Sequence, residues 1–552
     1  MVTFSDKTQQ EKLATLRLGA EEREAERKAA KSGANYANLA ILAPGPEAIG
    51  LIPEDKSRRG YLAVIGKTAK NLKIAVFDPE NAETKIIISE LKNQGYAIQL
   101  LVVSLTSLNK AWRVYERIRK PVESITGKII IHKEELEEFK TKINNLEVLE
   151  KKFKTLEGFQ LVKILEFAFA GAVTLNASDI HFEAQEKEVR LRLRIDGSLQ
   201  DIFFFNPKIY NQILSRIKLL AGLKINIRDR AQDGRFTILL ADESVEVRVA
   251  LAPGAWGENI VLRILNPKAI NVELNELGFR PDALKTFERE IVKPNGMIVM
   301  TGPTGSGKTT TLYAFLKRVY SPEMKIITVE DPVEYHLAGI TQTQVAPDKG
   351  YTFATALRSI LRQDPDVILI GEMRDKETAE IALQSALTGH LVFSTLHTND
   401  AAGTIPRLIE MDMNPAIIAA AFNLAVAQRL VRKLCQECKK EDKLTQEELK
   451  KIKTILKNVP ANFLSQPLNA QTKIFRETGC PECNNTGYKG RVAIVEILEM
   501  NEKMKNLILS SPSQFAIQDL AIKKGMITLK QDGFLKILQG LTSINEVESV
   551  VG

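Results

Sequence analysis

Gly302-Pro303-Thr304-Gly305-Ser306-Gly307-Lys308-Thr309 follows the apolar run Met297-Ile298-Val299-Met300 and leads into Thr310-Thr311-Leu312-Tyr313-Ala314-Phe315-Leu316. This is G-x-x-x-x-G-K-[ST] at the junction of a buried strand and a helix. The spacing has a chemical reason. Gly302, Gly305 and Gly307 have no Cβ, so the backbone can wrap a phosphate and aim several N–H groups at it. The helix N-terminus adds partial positive charge, Lys308 reaches the β- and γ-phosphates, and Thr309 offers a hydroxyl to Mg²⁺. The stretch Gly302–Thr310 is therefore read as a nucleotide-phosphate site.

After Pro294 the pattern alternates strand and helix, with strands expected near 297–301, 325–330, 366–371 and 390–396. Such alternation predicts an α/β fold with a parallel sheet and right-handed crossovers. Ligands bind such sheets beyond the carboxyl ends of the strands. There the second strand delivers Glu330-Asp331-Pro332-Val333-Glu334 and the third delivers Gly371-Glu372. Glu334 or Glu330 is placed to orient water or accept its proton, although Asp331 before Pro332 would also serve as a helix cap. Glu372 is placed to hold the Mg²⁺ shell or polarise the attacking water. His397 leaves the fourth strand on the ligand side, where it can sense the γ-phosphate; His390 is the weaker candidate.

With 552 residues, 44% hydrophobic and 26% charged, the chain is an ordinary globular sequence long enough for about three or four domains. The longest apolar stretch, Ala416–Ala427, is too short to span a bilayer. Asp6, Lys7 and Glu11 leave no apolar signal core, so a cytoplasmic location is expected. The net charge of +8 is spread among interleaved acids, and no basic–aromatic track of the kind that binds single strands is present. All four cysteines fall in two pairs, Cys435-Gln-Glu-Cys438 and Cys480-Pro-Glu-Cys483. Two C-x-x-C knuckles can present four thiolates to Zn²⁺, whereas disulfides are not expected in the cytosol.

These elements stand in the order found in the secretion ATPases of the type II secretion and type IV pilus systems, and the chain resembles that GspE/PilB family over about residues 160–552. The resemblance extends to Ala177-Ser-Asp-Ile-His-Phe-Glu183, Arg194-Ile-Asp-Gly197, Gln232-Asp-Gly-Arg235, Gly257-Glu-Asn-Ile-Val-Leu-Arg-Ile264, Leu361-Arg-Gln-Asp-Pro365, Leu396-His-Thr-Asn399 and Ala427-Gln-Arg-Leu430. It implies a RecA-like P-loop core with a PAS-like preceding domain and a small α/β N-terminal domain. It also implies ATP hydrolysis with Mg²⁺, structural Zn²⁺, and a homohexamer in which Arg248 and Arg263 reach a neighbour's ATP. The partners implied are a polytopic inner-membrane platform protein, a membrane-associated docking protein bound through the N-terminal domain and, indirectly, pilins, at the inner face of the cytoplasmic membrane. Retracting pilus motors lack the tetracysteine insert, which favours the assembly or secretion branch.

The organisation expected is a loosely packed helical leader at 1–35, an α/β docking domain at 36–125, a helical linker at 126–158 and a PAS-like domain at 159–275. The ATPase core at 276–430, the zinc subdomain at 431–492 and a C-terminal helical region at 493–552 follow. Two departures from the family stand out. Leu16-Arg-Leu-Gly19 is only a fragment of the motif that binds cyclic di-GMP in some relatives, and Asp412 stands where relatives often have glycine. Type IV pilus assembly is the first reading and type II secretion the alternative. A DNA-uptake or conjugation translocase lacks its nucleic-acid track, and a non-hydrolysing scaffold is at odds with intact Lys308, Glu372 and His397.

Overall fold

The computed structural model describes residues 4–39, 46–68, 70–118, 127–131, 139, 143, 145–154, 161–240, 243–266 and 272–552. The chain divides into two compact units, Met1–Ile125 and Thr126–Gly552.

The first unit is built on strands β1 (Asn35–Tyr36), β2 (Leu62–Thr68), β3 (Asn71–Val76) and β4 (Ala97–Val102), ordered β1-β4-β3-β2. Period-2 alternation sends Leu62, Val64, Leu72 and Ile74 to one face and Ala63 and Ala75 to the other, so each face carries its own core. The helix Phe4–Ser32 is not a loose leader in its second half. Ala25 and Ala29, four residues apart, are buried, and Glu22 accepts hydrogen bonds from the hydroxyls of Tyr36, Ser104 and Ser107.

The second unit holds two seven-stranded sheets. One contains β5 (Lys128–Ile130), β6 (Asp179–Ala184), β7 (Val189–Ile195), β8 (Ser198–Phe205), β9 (Gln232–Leu240), β10 (Glu243–Gly254) and β11 (Gly257–Leu265), ordered β5-β9-β10-β11-β6-β7-β8. Val189, Leu191 and Leu193 point into its core while Arg190, Arg192 and Arg194 point away, as the sequence alternation predicts. The stretch read as a helical linker departs from expectation where it is described. β5 pairs in parallel with β9, and the helix Leu146–Lys154 buries Leu149 and Phe153 in the same core. Much of 132–144 lies outside the described residues.

The other large sheet contains β12 (Gly296–Thr301), β13 (Ile326–Glu330), β14 (Thr341–Gln344), β15 (Val367–Ile370), β16 (Leu391–Leu396) and β17 (Phe422–Leu434). A small ribbon, β18 (Lys440–Lys443) with β19 (Lys473–Arg476), precedes its last strand, β20 (Tyr488–Glu499). The order is β14-β13-β15-β16-β12-β17-β20, parallel throughout except for β20. β12, β13, β15 and β16 are buried along their whole length, the mark of a parallel sheet covered on both faces.

One expectation about the C-terminal third is corrected. The region after 492 continues a strand before it becomes helical, because Val492-Ala-Ile-Val-Glu-Ile-Leu498 is a β-branched run that closes the sheet against β17. The cysteine subdomain is anchored by Leu444, Ile452, Leu456, Val459 and Ile474, which pack into the main core beneath the sheet. Asp412 has φ of +61°, a left-handed conformation that glycine adopts without strain.

Candidate active site

β12 ends at Thr301, and the chain turns through Gly302–Gly307 into the helix Lys308–Val319. The turn requires glycine at two points. Gly302 (φ +141°) and Gly307 (φ +87°) lie so close to Gln428 that a Cβ would come within 2.6 Å of its carbonyl oxygen and 2.7 Å of its Nε2. Lys308 Nζ donates to the carbonyls of Gly302 at 2.7 Å and Pro303 at 3.1 Å, which puts the ammonium within the loop. Burial, together with Arg429, lowers the Lys308 pKa, and Glu372 partly opposes them. Pro303, Thr304, Gly305 and Thr309 face solvent at the mouth of the loop, Thr310 is half-buried, and Ser306 is buried.

The carboxylates separate into different roles. Glu330 is buried and fully engaged, accepting from the hydroxyls of Tyr313 and Thr328 and from Gln342 Nε2, so it braces the sheet rather than facing a ligand. Glu372 sits just past β15, with Oε1 2.5 Å from an Arg374 guanidinium nitrogen and Oε2 3.3 Å from His397 Nε2. The structure thus brings Glu372 and His397 together beside the P-loop strand. Parallel pairing explains why: Thr301 lies opposite Leu396, so His397 leaves β16 where the P-loop leaves β12. His390 precedes β16 at the opposite end of the sheet, where its Nδ1 lies 3.0 Å from the Ser385 carbonyl oxygen.

The arginines form a pattern that no single stretch of sequence reveals. Cross-strand register aligns Arg235, Arg248, Arg263, Asp179 and Arg194 in one row across β9, β10, β11, β6 and β7. Asp179 lies 3.0 Å from Arg263 Nε and 3.4 Å from Arg194 Nε. Arg248 reaches the P-loop sheet of its own chain, donating to Glu334 Oε1 and to the Val333 carbonyl, each at 3.1 Å. A cleft of about 740 Å³ separates the sheets here, lined by Thr237, Glu246 and Leu265 on one side and Tyr320, Glu334 and Tyr335 on the other.

Two further residues bear on the loop. Gln428 is buried in β17, donates to the Ser306 carbonyl at 2.9 Å and accepts from the Thr311 hydroxyl at 2.8 Å. Arg429 donates to the Asn399 carbonyl at 2.8 Å, linking the P-loop side to the segment after His397. The motif Ala427-Gln-Arg-Leu430 was the available signal, but its role depends on β17 lying beside β12.

The four cysteine sulfurs lie within 4.8 Å of one another, with separations of 3.9, 3.8 and 3.7 Å for the pairs 435–480, 438–483 and 480–483. Tetrahedral Zn²⁺ with bonds of about 2.3 Å sets its sulfurs about 3.8 Å apart, so the donor set fits that ion. Burial pushes the Cys483 thiol up, but the amides of Cys480 and Gly487, each 3.2 Å from its sulfur, bring it down to about 7. Four protein ligands leave no open position, the form of a structural rather than a catalytic site.

Residues 156–549 match the family described as type II/IV secretion system protein. The chain belongs to that family. It is 38% identical over 513 residues to the type IV pilus assembly ATPase PilB of Myxococcus xanthus, covering 92% of this chain and 88% of the relative. It is 42% identical over 390 residues to the type II secretion system ATPase E of Vibrio cholerae, covering 71% and 75%. The crystal structure of the Legionella pneumophila ATPase DotB superimposes with a TM-score of 0.50 at 21% identity, over 71% of this chain and 95% of DotB, and shares the fold. This secretion-family member is an ATPase with a RecA-like core. Among its described residues no helix is long and apolar enough to cross a membrane.

Proposed function

We propose that the chain is the hexameric, ATP-hydrolysing motor of type IV pilus assembly, working on a polytopic inner-membrane platform protein to add pilins. The observation that carries this reading is the extent of the likeness to PilB: 513 aligned residues are too many to leave out the N-terminal unit. That unit would dock to a membrane-associated partner at the cytoplasmic face.

In this reading the backbone of Gly302–Thr310 and the Lys308 ammonium hold the ATP phosphates. Thr309 and Glu372 would hold Mg²⁺, which when bound neutralises phosphate charge. Glu372 orients the attacking water and takes its proton, with Glu334 assisting, and His397 responds to the γ-phosphate through its contact with Glu372. Arg248 and Arg263 stabilise the equatorial oxygens of the transferring phosphoryl group of a neighbouring subunit. Cys435, Cys438, Cys480 and Cys483 hold Zn²⁺ as a structural clamp.

The second reading, a type II secretion ATPase, is favoured by the 42% identity to the Vibrio cholerae protein. Deletion of the gene from its own bacterium distinguishes the two. Loss of surface pili with normal export of folded exoproteins supports the pilus motor. Intact pili with exoproteins retained behind the outer membrane transfers the function to secretion, and DNA-stimulated hydrolysis by the purified protein would point to a translocase.

A further inference from the structure

β20 closes the sheet with alternating side chains. Ile494 and Leu498 enter the main core on one face, and Ala493 and Val495 enter the core on the other. Glu496 occupies the place between Ile494 and Leu498 where the pattern calls for an apolar residue, and it is 2% exposed. A carboxylate there is expensive unless it is hydrogen-bonded. Its two oxygens are both used: Oε1 accepts from the Ala401 amide at 3.0 Å, and Oε2 accepts from the Leu529 amide at 3.3 Å. Ala401 is fully buried, so its N–H needs that acceptor.

Ala401 belongs to the segment that begins at His397. At one end this segment is pinned to the P-loop strand, because the Thr398 amide donates to Thr301 Oγ1 at 2.8 Å. At the other end Asp400 accepts from Gln514 Nε2 at 2.7 Å, and Glu496 joins Ala401 to the first turn of the helix Leu529–Leu538. Gln514 opens the helix Gln514–Lys523, so both outer anchors lead into the C-terminal helices.

We propose that Glu496, seconded by Gln514, is a positioning residue for hydrolysis: it holds the His397–Gly403 segment, and so the His397 side chain against Glu372, from the C-terminal side. Neither residue touches nucleotide. Each acts through the segment, which makes the C-terminal helices a lever on the rate of the chemical step. The inference rests on the reading of Glu372 and His397 as the hydrolytic pair.

The test uses the full-length protein with Glu496→Gln, which keeps size but replaces one acceptor oxygen by a donor, and Gln514→Ala, which is exposed and leaves the core untouched. Glu372→Gln and His397→Ala are measured alongside. The readouts are kcat, KM for ATP, the affinity for a fluorescent ATP analogue, and amide exchange of residues 397–403. Glu496→Gln is expected to lower kcat about 10- to 100-fold, the range for a displaced catalytic group. KM and analogue affinity should stay within about twofold, and exchange across 397–403 should rise. Gln514→Ala should move kcat and exchange in the same directions by less. Unchanged kcat and exchange in folded Glu496→Gln would overturn the proposal. Should that variant not fold, unchanged values in Gln514→Ala would do so. Full activity in both Glu372→Gln and His397→Ala would instead remove the reading on which the inference rests.

Discussion

Replacing Gln428 tests whether the P-loop is shaped by β17 beneath it. The side chain is 1% exposed and makes two hydrogen bonds, to the Ser306 carbonyl and from the Thr311 hydroxyl. Gln428→Leu keeps the approximate volume and leaves both partners unpaired, at a cost of about 1–3 kcal/mol each. Burial of the more apolar leucine returns part of the loss, about 1–2 kcal/mol. The net cost is then about 0–5 kcal/mol, centred near 2–3 kcal/mol, and it falls on the ordered loop, since Ser306 is in the turn and Thr311 in the first turn of the helix. ATP binding needs that ordered loop, so a central cost of about 2–3 kcal/mol should raise the dissociation constant roughly 30- to 150-fold. Gln428→Glu should be worse than Gln428→Leu, because a carboxylate oxygen then faces the Ser306 carbonyl. Titration with a fluorescent ATP analogue measures both variants. Dissociation constants within twofold of the parent for both would show that the loop holds its shape without β17 and would refute this argument.

Zinc should be found at one ion per chain by elemental analysis. Cys480→Ser should expose the chain around Cys435–Cys438 and Cys480–Gly490 to protease, while Ile452 and Ile474, packed into the main core, stay protected; stoichiometric absence of metal from folded, reduced protein would contradict the assignment. An arginine that stabilises a transferring phosphoryl group contributes about 10³–10⁵ in rate, so Arg248→Ala and Arg263→Ala should each be nearly inactive. Mixing Lys308→Ala chains with Arg263→Ala chains should restore part of the activity if the arginine acts on a neighbour, and should restore none if Arg248 and Arg263 serve only the ion pairs with Glu334 and Asp179.

The nucleotide-binding half was legible in the sequence because local signals and global fold agree there. The P-loop pattern, four apolar runs and two strand-end acids each fall at the sheet edge that the β-α order dictates. The observed strands β12, β13, β15 and β16 match the runs from which they were expected to within a residue or so. What the sequence hid depends on pairing between distant segments. The arginine row exists only because β9, β10, β11, β6 and β7 meet in one register, and Gln428 reaches Ser306 only because β17 lies beside β12. Glu496 did leave a signal, a single charge inside an otherwise apolar run, but its acceptors' partners at Ala401 and Leu529 lie 95 and 33 residues away. β5 was missed because three residues beyond a charged stretch carry too little periodicity to read as a strand.

In the proposed reaction Glu372 is the residue that orders the hydrolytic water. Glu372→Gln preserves the size of the side chain and an oxygen for Arg374 while removing the charge. A positioned acid–base group contributes about 10²–10⁴ in rate. The direct measurement is ATP turnover of the purified Glu372→Gln protein set against its affinity for ATP. Turnover reduced at least about 100-fold with affinity within a few-fold of the parent is the predicted result. Near-parental turnover would contradict it and move the catalytic role to Glu334.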